Sequence, residues 1–217
     1  MLLKEDFVLI HYLDLNKFNQ QILYKFLDQL SENDKKKNRK YLRDINKLQH
    51  LAGRWLLYKG MEKWEINPDI IKEIVIDSNE RPYLKNTPLN FNISHSKTMV
   101  VCAMSKHQLG IDVEFIDSSI DFKYFEQTMN ARQWSYIKTS NKPYVEFYKH
   151  WAIKESVIKA NGKGFAIPVK DIEIMRDIAL LGNETWFIHE AFLKHEFVCY
   201  TSLQYRVNKE QYCITQF

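Results

Sequence analysis

The sequence predicts an α+β protein, and three observations carry that prediction. Apolar residues recur at helical spacing: Ile22, Phe26 and Leu30 within 18–30, Tyr41, Ile45, Leu48, Ala52 and Leu56 within 39–59, and Ile153, Val157 and Ala160 further on. Short runs rich in Val, Ile, Tyr and Phe read as strands between them. The order strand, helices, strands occurs in each half of the chain, and no Gly/Ser-rich or Pro-rich linker separates the halves. With 217 residues there is enough chain for a real core, in one domain or two small ones.

In chain order, Phe7 to Leu13 reads as a first strand and 18–30 as an amphipathic helix. Ser31-Glu32-Asn33-Asp34 breaks or recaps the chain before a basic run, Lys35 to Lys40. That run reads either as a solvated helix start or as a rim that attracts phosphate. A second helix is expected from Arg39 to Lys59, then a short strand at Ile74 to Ile76 and a turn fixed by Pro82. Phe91 to Ser96 reads as a strand end and polar turn, with Met99 to Met104 as the returning strand. Leu109 to Phe115 is expected as the neighbour of that strand, around a turn at 105–108. Helical segments follow near 122–129 and 131–137. A long helix starts after Ser140-Asn141-Lys142-Pro143, where Pro suits the first turn, and Asn161-Gly162 ends it with residues that tolerate positive φ. Strands are expected at 171–175, 185–189, 197–203 and 211–215, with a hairpin turn at Leu181-Gly182-Asn183.

Composition bounds the function. Net charge is +4, from 31 basic and 27 acidic residues, which suits an anionic partner without demanding nucleic acid. Basic residues are not gathered with aromatics in a stripe, so no nucleic-acid partner is expected. Cys102, Cys199 and Cys213 lack Cys-x-x-Cys spacing and read as small buried hydrophobes. No apolar run approaches the ~20 residues of a membrane span. The start, Met-Leu-Leu-Lys-Glu-Asp, is charged too early for a secretory signal, so the expectation is a cytoplasmic protein with no membrane partner.

Three segments carry chemistry. In Gly110-Ile-Asp-Val-Glu-Phe115 strict alternation puts Asp112 and Glu114 on one strand face, roughly 6–7 Å apart along the backbone. Like charges that close favour a cation between them, and Mg²⁺ takes hard carboxylate oxygens. Asn92-Ile-Ser94-His95-Ser96 offers hydroxyls, an imidazole and turn amides, which suit a phosphate or simply satisfy the local backbone. In the long helix Glu155 and Lys159 are four apart, with Trp151 one turn before, and taken alone they are an ordinary surface pair.

Together these segments resemble the 4′-phosphopantetheinyl transferases, in particular the larger type that activates peptide synthetases. The family pattern of Asn-x-Ser-His-Ser, Gly-Ile-Asp-x-Glu, Trp-x-x-Lys-Glu-Ser-x-x-Lys and Gly-x-Gly is present in order at Asn92–Ser96, Gly110–Glu114, Trp151–Lys159 and Gly162–Gly164. The resemblance implies two similar subdomains in pseudo-twofold arrangement, each a small, mainly antiparallel sheet packed with helices. Residues 1–108 would form the side that takes the coenzyme A nucleotide, and 109–217 would carry the metal, the catalytic helix and the carrier-protein side.

It further implies transfer of 4′-phosphopantetheine from coenzyme A to a serine of an apo acyl or peptidyl carrier protein, releasing adenosine 3′,5′-bisphosphate. Asp112, Glu114 and Glu155 would hold Mg²⁺. Glu155 would take the serine proton, directly or through a metal-bound water, and Lys159 would neutralise developing charge. Lys37, Arg43, Arg81, Ser94 and His95 would join Lys159 in binding coenzyme A. Arg81 sits where the family has Lys before Pro; Asp34 and His50 depart from the commonest phosphate-contacting types. Lys163, Phe165 and Ile167 would face the carrier, unless Phe165 and Ile167 instead start a core strand. A pseudo-dimer in one chain needs no partner, so a monomer is expected. The competing readings are a Mg²⁺-dependent phosphodiesterase or nuclease and a non-catalytic coenzyme A or carrier-binding module.

Overall fold

A computed structural model describes residues 7–217, apart from the Phe165 side chain. The starting segment 1–6, whose charge underlies the expectation of no secretory signal, lies outside the described residues. Helices and small, mainly antiparallel sheets alternate, as the α+β patterning predicts. The described residues divide into two units: 7–107 with 207–217, and 108–206.

The first unit is built on a four-stranded sheet of order β11-β1-β5-β4. Its strands are β1 (Val8–Asp14), β4 (Asn90–Ser96), β5 (Met99–Ser105) and β11 (Tyr212–Gln216). β1 pairs antiparallel with β5 and parallel with β11. Both β1 and β5 are buried along their whole length, so they read as continuous apolar runs rather than alternating ones. Helix α1 (Gln20–Phe26) is capped by the Asn19 side chain. The expected helix over 39–59 is two helices, α2 (Glu32–Lys40) and α3 (Asp44–Lys63), separated at Tyr41 to Arg43, where Leu42 is 98% exposed. Ser31 caps α2 by accepting from the Asp34 amide, so the basic run belongs to this separate helix. β2 (Ile74–Ile76) and β3 (Pro82–Leu84) form a two-stranded ribbon. Leu9, Leu13, Leu51, Leu56, Leu57 and Met104 are among the side chains that fill this unit's core.

The second unit holds a five-stranded antiparallel sheet of order β6-β10-β9-β8-β7. Its strands are β6 (Leu109–Phe115), β7 (Glu173–Met175), β8 (Ile178–Leu181), β9 (Glu184–Glu190) and β10 (Phe197–Leu203). Gly182, at φ +57°, makes the expected hairpin turn between β8 and β9. Helix α4 (Ala131–Thr139) starts with a reciprocal capping box between Asn130 and Gln133. Helix α5 (Pro143–Asn161) begins on Pro143 and ends on Gly162 at φ +80°, as its flanking residues predict. Segment 122–128 is a 3₁₀ helix. Ile153, Val157 and Ala160 of α5 pack into a core with Trp134, Trp186 and Val198.

Three expectations need correction. β5 and β6 are not neighbours: β5 pairs with β1 and β4, whereas β6 pairs with β10. Asn92 to Ser96 lies within β4, and the turn falls just after it, with Lys97 at φ +52°. Residues 211–217 do not join 109–206, because β11 adds to β1 and Phe217 packs edge-on against Trp55. Cys102 and Cys199 are buried as expected, and Cys213 is partly so. Among the described residues, no helix is long and apolar enough to cross a membrane.

Candidate active site

The acidic face of the second unit is assembled by close packing of α5 on β6. Gly110 makes that packing possible. A Cβ at this position would collide with the Ser156 carbonyl oxygen and the Ala160 nitrogen, so only glycine lets the helix lie this near the strand. Gln108 Nε2 donates to the Ala160 carbonyl at 2.6 Å, and Ser156 Oγ and Ser202 Oγ lie 2.6 Å apart, which fixes the helix register over β6 and β10. The outcome is that two residues of a strand and two of a helix share one surface.

Asp112 is 3% exposed, and Lys159 Nζ donates to its Oδ1 at 2.6 Å. Glu114 Oε1 accepts from Trp151 Nε1 at 3.1 Å. The Glu155 carboxyl is half-buried. Burial, and then the nearby charge of Asp112, raise its pKa above the ordinary carboxylate value, with Lys159 opposing. Glu155 is thus a stronger base than an ordinary carboxylate, and Lys159 supplies a positive charge beside it.

This set tests well against a hard divalent cation in one respect. It offers carboxylate oxygens with excess negative charge, and a cationic ammonium already compensates Asp112. Asp112 and Glu114 accept from different donors, Lys159 and Trp151. Among the described residues, no group of three or more His, Cys, Asp or Glu stands close enough to hold a metal ion.

Two residues of the helix motif, Trp151 and Lys154, carry no assigned role in the sequence. Trp151 fits an ordinary aromatic helix position, yet its indole N–H orients Glu114. Lys154 is fully buried. Its ammonium donates to the carbonyls of Thr128 (3.0 Å) and Val169 (2.9 Å), which ties the segments before α4 and after α5 to the helix. Burial pushes its pKa down to about 8, against a smaller raising effect from Asp171. A lysine directly before a glutamate gives no signal that one of them is inside. Of the residues expected to face a carrier, Ile167 is buried in the core instead, because it follows the 3₁₀ turn at 164–166 back onto α5. The Phe165 side chain lies outside the described residues.

In the first unit, a cavity of about 280 Å³ is lined in part by Lys37, Tyr41, His50, Arg54, Pro82 and His95. The structure therefore brings Lys37 and His95 together, from α2 and β4. His95 is exposed and Ser94, one residue before it, is buried on the alternate strand face. Arg43 is exposed at the N-terminal boundary of α3 and Arg81 is half-buried before β3; neither is among the cavity-lining residues. Burial lowers the Arg81 pKa, with Asp77 opposing. Gly53 and Arg54 line the cavity too, although their positions in the sequence read only as part of a helix.

This is an α+β chain with an acidic strand face beneath a Glu–Lys helix, and comparison with known proteins gives its family. The family model described as 4′-phosphopantetheinyl transferase superfamily matches residues 108–216. The chain is 37% identical over 153 residues to the 4′-phosphopantetheinyl transferase gsp of Aneurinibacillus migulanus, covering 67% of this chain and 63% of that protein. It is 34% identical over 98 residues to the 4′-phosphopantetheinyl transferase Sfp of Bacillus subtilis, covering 43% of each. It is 32% identical over 160 residues to the L-aminoadipate-semialdehyde dehydrogenase-phosphopantetheinyl transferase of Mus musculus, covering 64% of this chain and 52% of that protein. The matched stretches thus span less than two thirds of these relatives' own lengths. The chain belongs to the 4′-phosphopantetheinyl transferase superfamily.

Proposed function

We propose that the protein transfers 4′-phosphopantetheine from coenzyme A to a serine of an apo acyl or peptidyl carrier protein, releasing adenosine 3′,5′-bisphosphate. The observation that carries this reading is the clustering of Asp112, Glu155 and Lys159, within the segment that matches the superfamily. The relatives' names support the same chemistry.

The serine oxygen attacks the β-phosphorus, forming a new P–O bond, while the bond from that phosphorus to the departing adenosine bisphosphate breaks. Glu155 takes the serine proton, as the carboxylate beside Asp112 and Lys159. Lys159 moves its ammonium between Asp112 and the charge that develops on the phosphate oxygens. Asp112, Glu114 and Glu155 are the residues proposed to hold Mg²⁺, which when bound would offset phosphate charge. Trp151 holds one Glu114 carboxylate oxygen through its indole N–H.

The cavity with Lys37 and His95 is proposed to take the nucleotide end of coenzyme A, with Arg43, Arg81 and Ser94 in the same contact set. The first unit is then the nucleotide side and the second the catalytic and carrier side. The protein is proposed to act in the cytoplasm as a monomer.

The test is intact mass spectrometry of an apo carrier protein incubated with the protein, coenzyme A and Mg²⁺. A gain of one phosphopantetheine mass is expected, and it should vanish with Glu155→Ala or with a chelator. Coenzyme A binding without mass gain across several carriers would favour a binding module. Absence of coenzyme A binding, together with Mg²⁺-dependent cleavage of a phosphodiester, would favour a phosphodiesterase.

A further inference from the structure

The cavity in the first unit has a one-sided electrostatic character. Lys37, His50, Arg54 and His95 line it, and no Asp or Glu is among the described residues that do. Arg54 is the unusual member. It sits mid-helix in α3 and is 5% exposed, whereas buried arginines are rare unless paired. Its Nε donates to Asp34 Oδ1 at 3.0 Å. Among the described residues, Asp34 is the only group hydrogen-bonded to the guanidinium. A guanidinium carries five N–H donors in a rigid fork, and no Arg54 nitrogen is among the fully buried atoms left without a partner. The rest of the fork therefore opens into the cavity that Arg54 lines and is available to whatever fills it.

The surrounding bonds hold this fork still. Asp34 lies in the first turn of α2, where its amide donates to Ser31 Oγ and its Oδ2 accepts from the same hydroxyl. Burial alone would push the Asp34 carboxyl up. The hydrogen bonds from His50 and Arg54 and the guanidinium charge outweigh it and hold it down at about 2, so Asp34 is an anion at neutral pH.

His50 is used up by the same network. Asn38 Nδ2 donates to the Lys47 carbonyl at 2.9 Å, which identifies that atom as the amide nitrogen. It lies 3.2 Å from His50 Nδ1, which therefore accepts. His50 Nε2 is left to donate to Asp34 Oδ1 at 3.3 Å. With both ring nitrogens committed, His50 is a wall of the cavity. The work of recognising an anion falls to Arg54, with Lys37 at the rim.

We propose that Arg54, oriented by Asp34, is the group that selects a dianionic phosphate monoester in this cavity. An arginine fork grips two oxygens of such a group at once, which a lysine point charge does not. The assignment rests on the coenzyme A reading, where the monoester is the 3′-phosphate on the ribose. It makes Arg54 the residue that distinguishes coenzyme A from its 3′-dephospho form.

The test is titration calorimetry of the full chain with coenzyme A and with 3′-dephospho-coenzyme A, at fixed salt. Wild type is compared with Arg54→Lys and with the charge-balanced Asp34→Asn/Arg54→Gln double variant, each checked for a cooperative melt. Wild type should prefer coenzyme A by roughly 10- to 100-fold, the range for hydrogen bonds to a charged group. The double variant should lose that preference while keeping its affinity for the dephospho form within about twofold, and Arg54→Lys should retain only part of it. Equal affinities in wild type, or an undiminished preference in the folded double variant, would overturn the role of Arg54 while carrier modification by wild type continued. Absence of binding to either compound, together with absence of carrier modification, would overturn both the role and the coenzyme A reading.

Discussion

Lys159 donates to Asp112, across from its own helix, at 2.6 Å, rather than resting against Glu155 one turn before it on α5. The distinction matters for the chemistry. An i,i+4 pair would neutralise its own acid and base and hold both inert at the surface. Here the ammonium compensates a buried strand carboxylate, and Glu155 is left with a raised pKa.

Glu155→Gln should lower the rate of carrier modification by roughly 10²–10⁴-fold, the usual range for a lost general base, while coenzyme A affinity changes little. The same variant has a thermodynamic signature. A carboxyl whose folded pKa is raised binds more protons folded than unfolded, so its ionisation opposes folding once the pH exceeds the unfolded value. Glu155→Gln should therefore melt higher than wild type at neutral pH, and the advantage should disappear as the pH falls below 4.5. Melting curves at several pH values check this.

Trp151→Phe keeps the ring packing and removes the N–H that holds Glu114. If Glu114 helps hold Mg²⁺, the concentration of Mg²⁺ needed for half-maximal transfer should rise by about tenfold or more, as for other residues that orient ligands. An unchanged Mg²⁺ dependence would remove Glu114 from the metal set.

Gly110→Ala places a methyl group against the backbone of α5, which cannot step aside as a flexible side chain can. Overpacking of this kind costs about 1–3 kcal/mol or more, and it also displaces α5 from Asp112. Urea unfolding should show a lower midpoint at unchanged slope, with activity falling further than stability accounts for.

Lys154 gives a test at high pH. Its folded pKa of about 8 lies below the ordinary lysine value of 10.5, so between those values the unfolded chain binds more protons and stability rises with pH. Below pH 8 the full cost of burying the charge is present; above 10.5 it is gone. Relative to Lys154→Met, wild type should gain about 3 kcal/mol across that window. Parallel denaturation series at pH 7.5 and pH 10.5 measure the difference.

What the sequence could show depended on how local each signal was. The start and stop of α5 are written into Pro143 and Asn161-Gly162, and the alternation of Asp112 and Glu114 is visible over five residues. The buried Asp34–Arg54 pair is separated by twenty positions and a helix break, and Arg54 follows a helical spacing in which most neighbours are apolar. The same distance problem hid the strand partners. Short turns suggest that successive strands pair, and residues 105–108 look like such a turn, but β5 and β6 belong to different sheets. Lys154 and Trp151 were hidden by their company: a buried lysine looks like its exposed neighbours until the carbonyls it binds are in place.

The parallel pairing of β1 with β11 joins residues 8–12 to residues 212–216. On a ribosome, β1 emerges before 108–206 and β11 after it. Until β11 follows, β1 keeps an unpaired edge, while 108–206 can close its own five-stranded sheet. The unit that holds β1 is therefore completed only when β11 arrives, and a chain stalled before β11 would display an apolar strand edge of the kind that chaperones hold and that aggregates grow from.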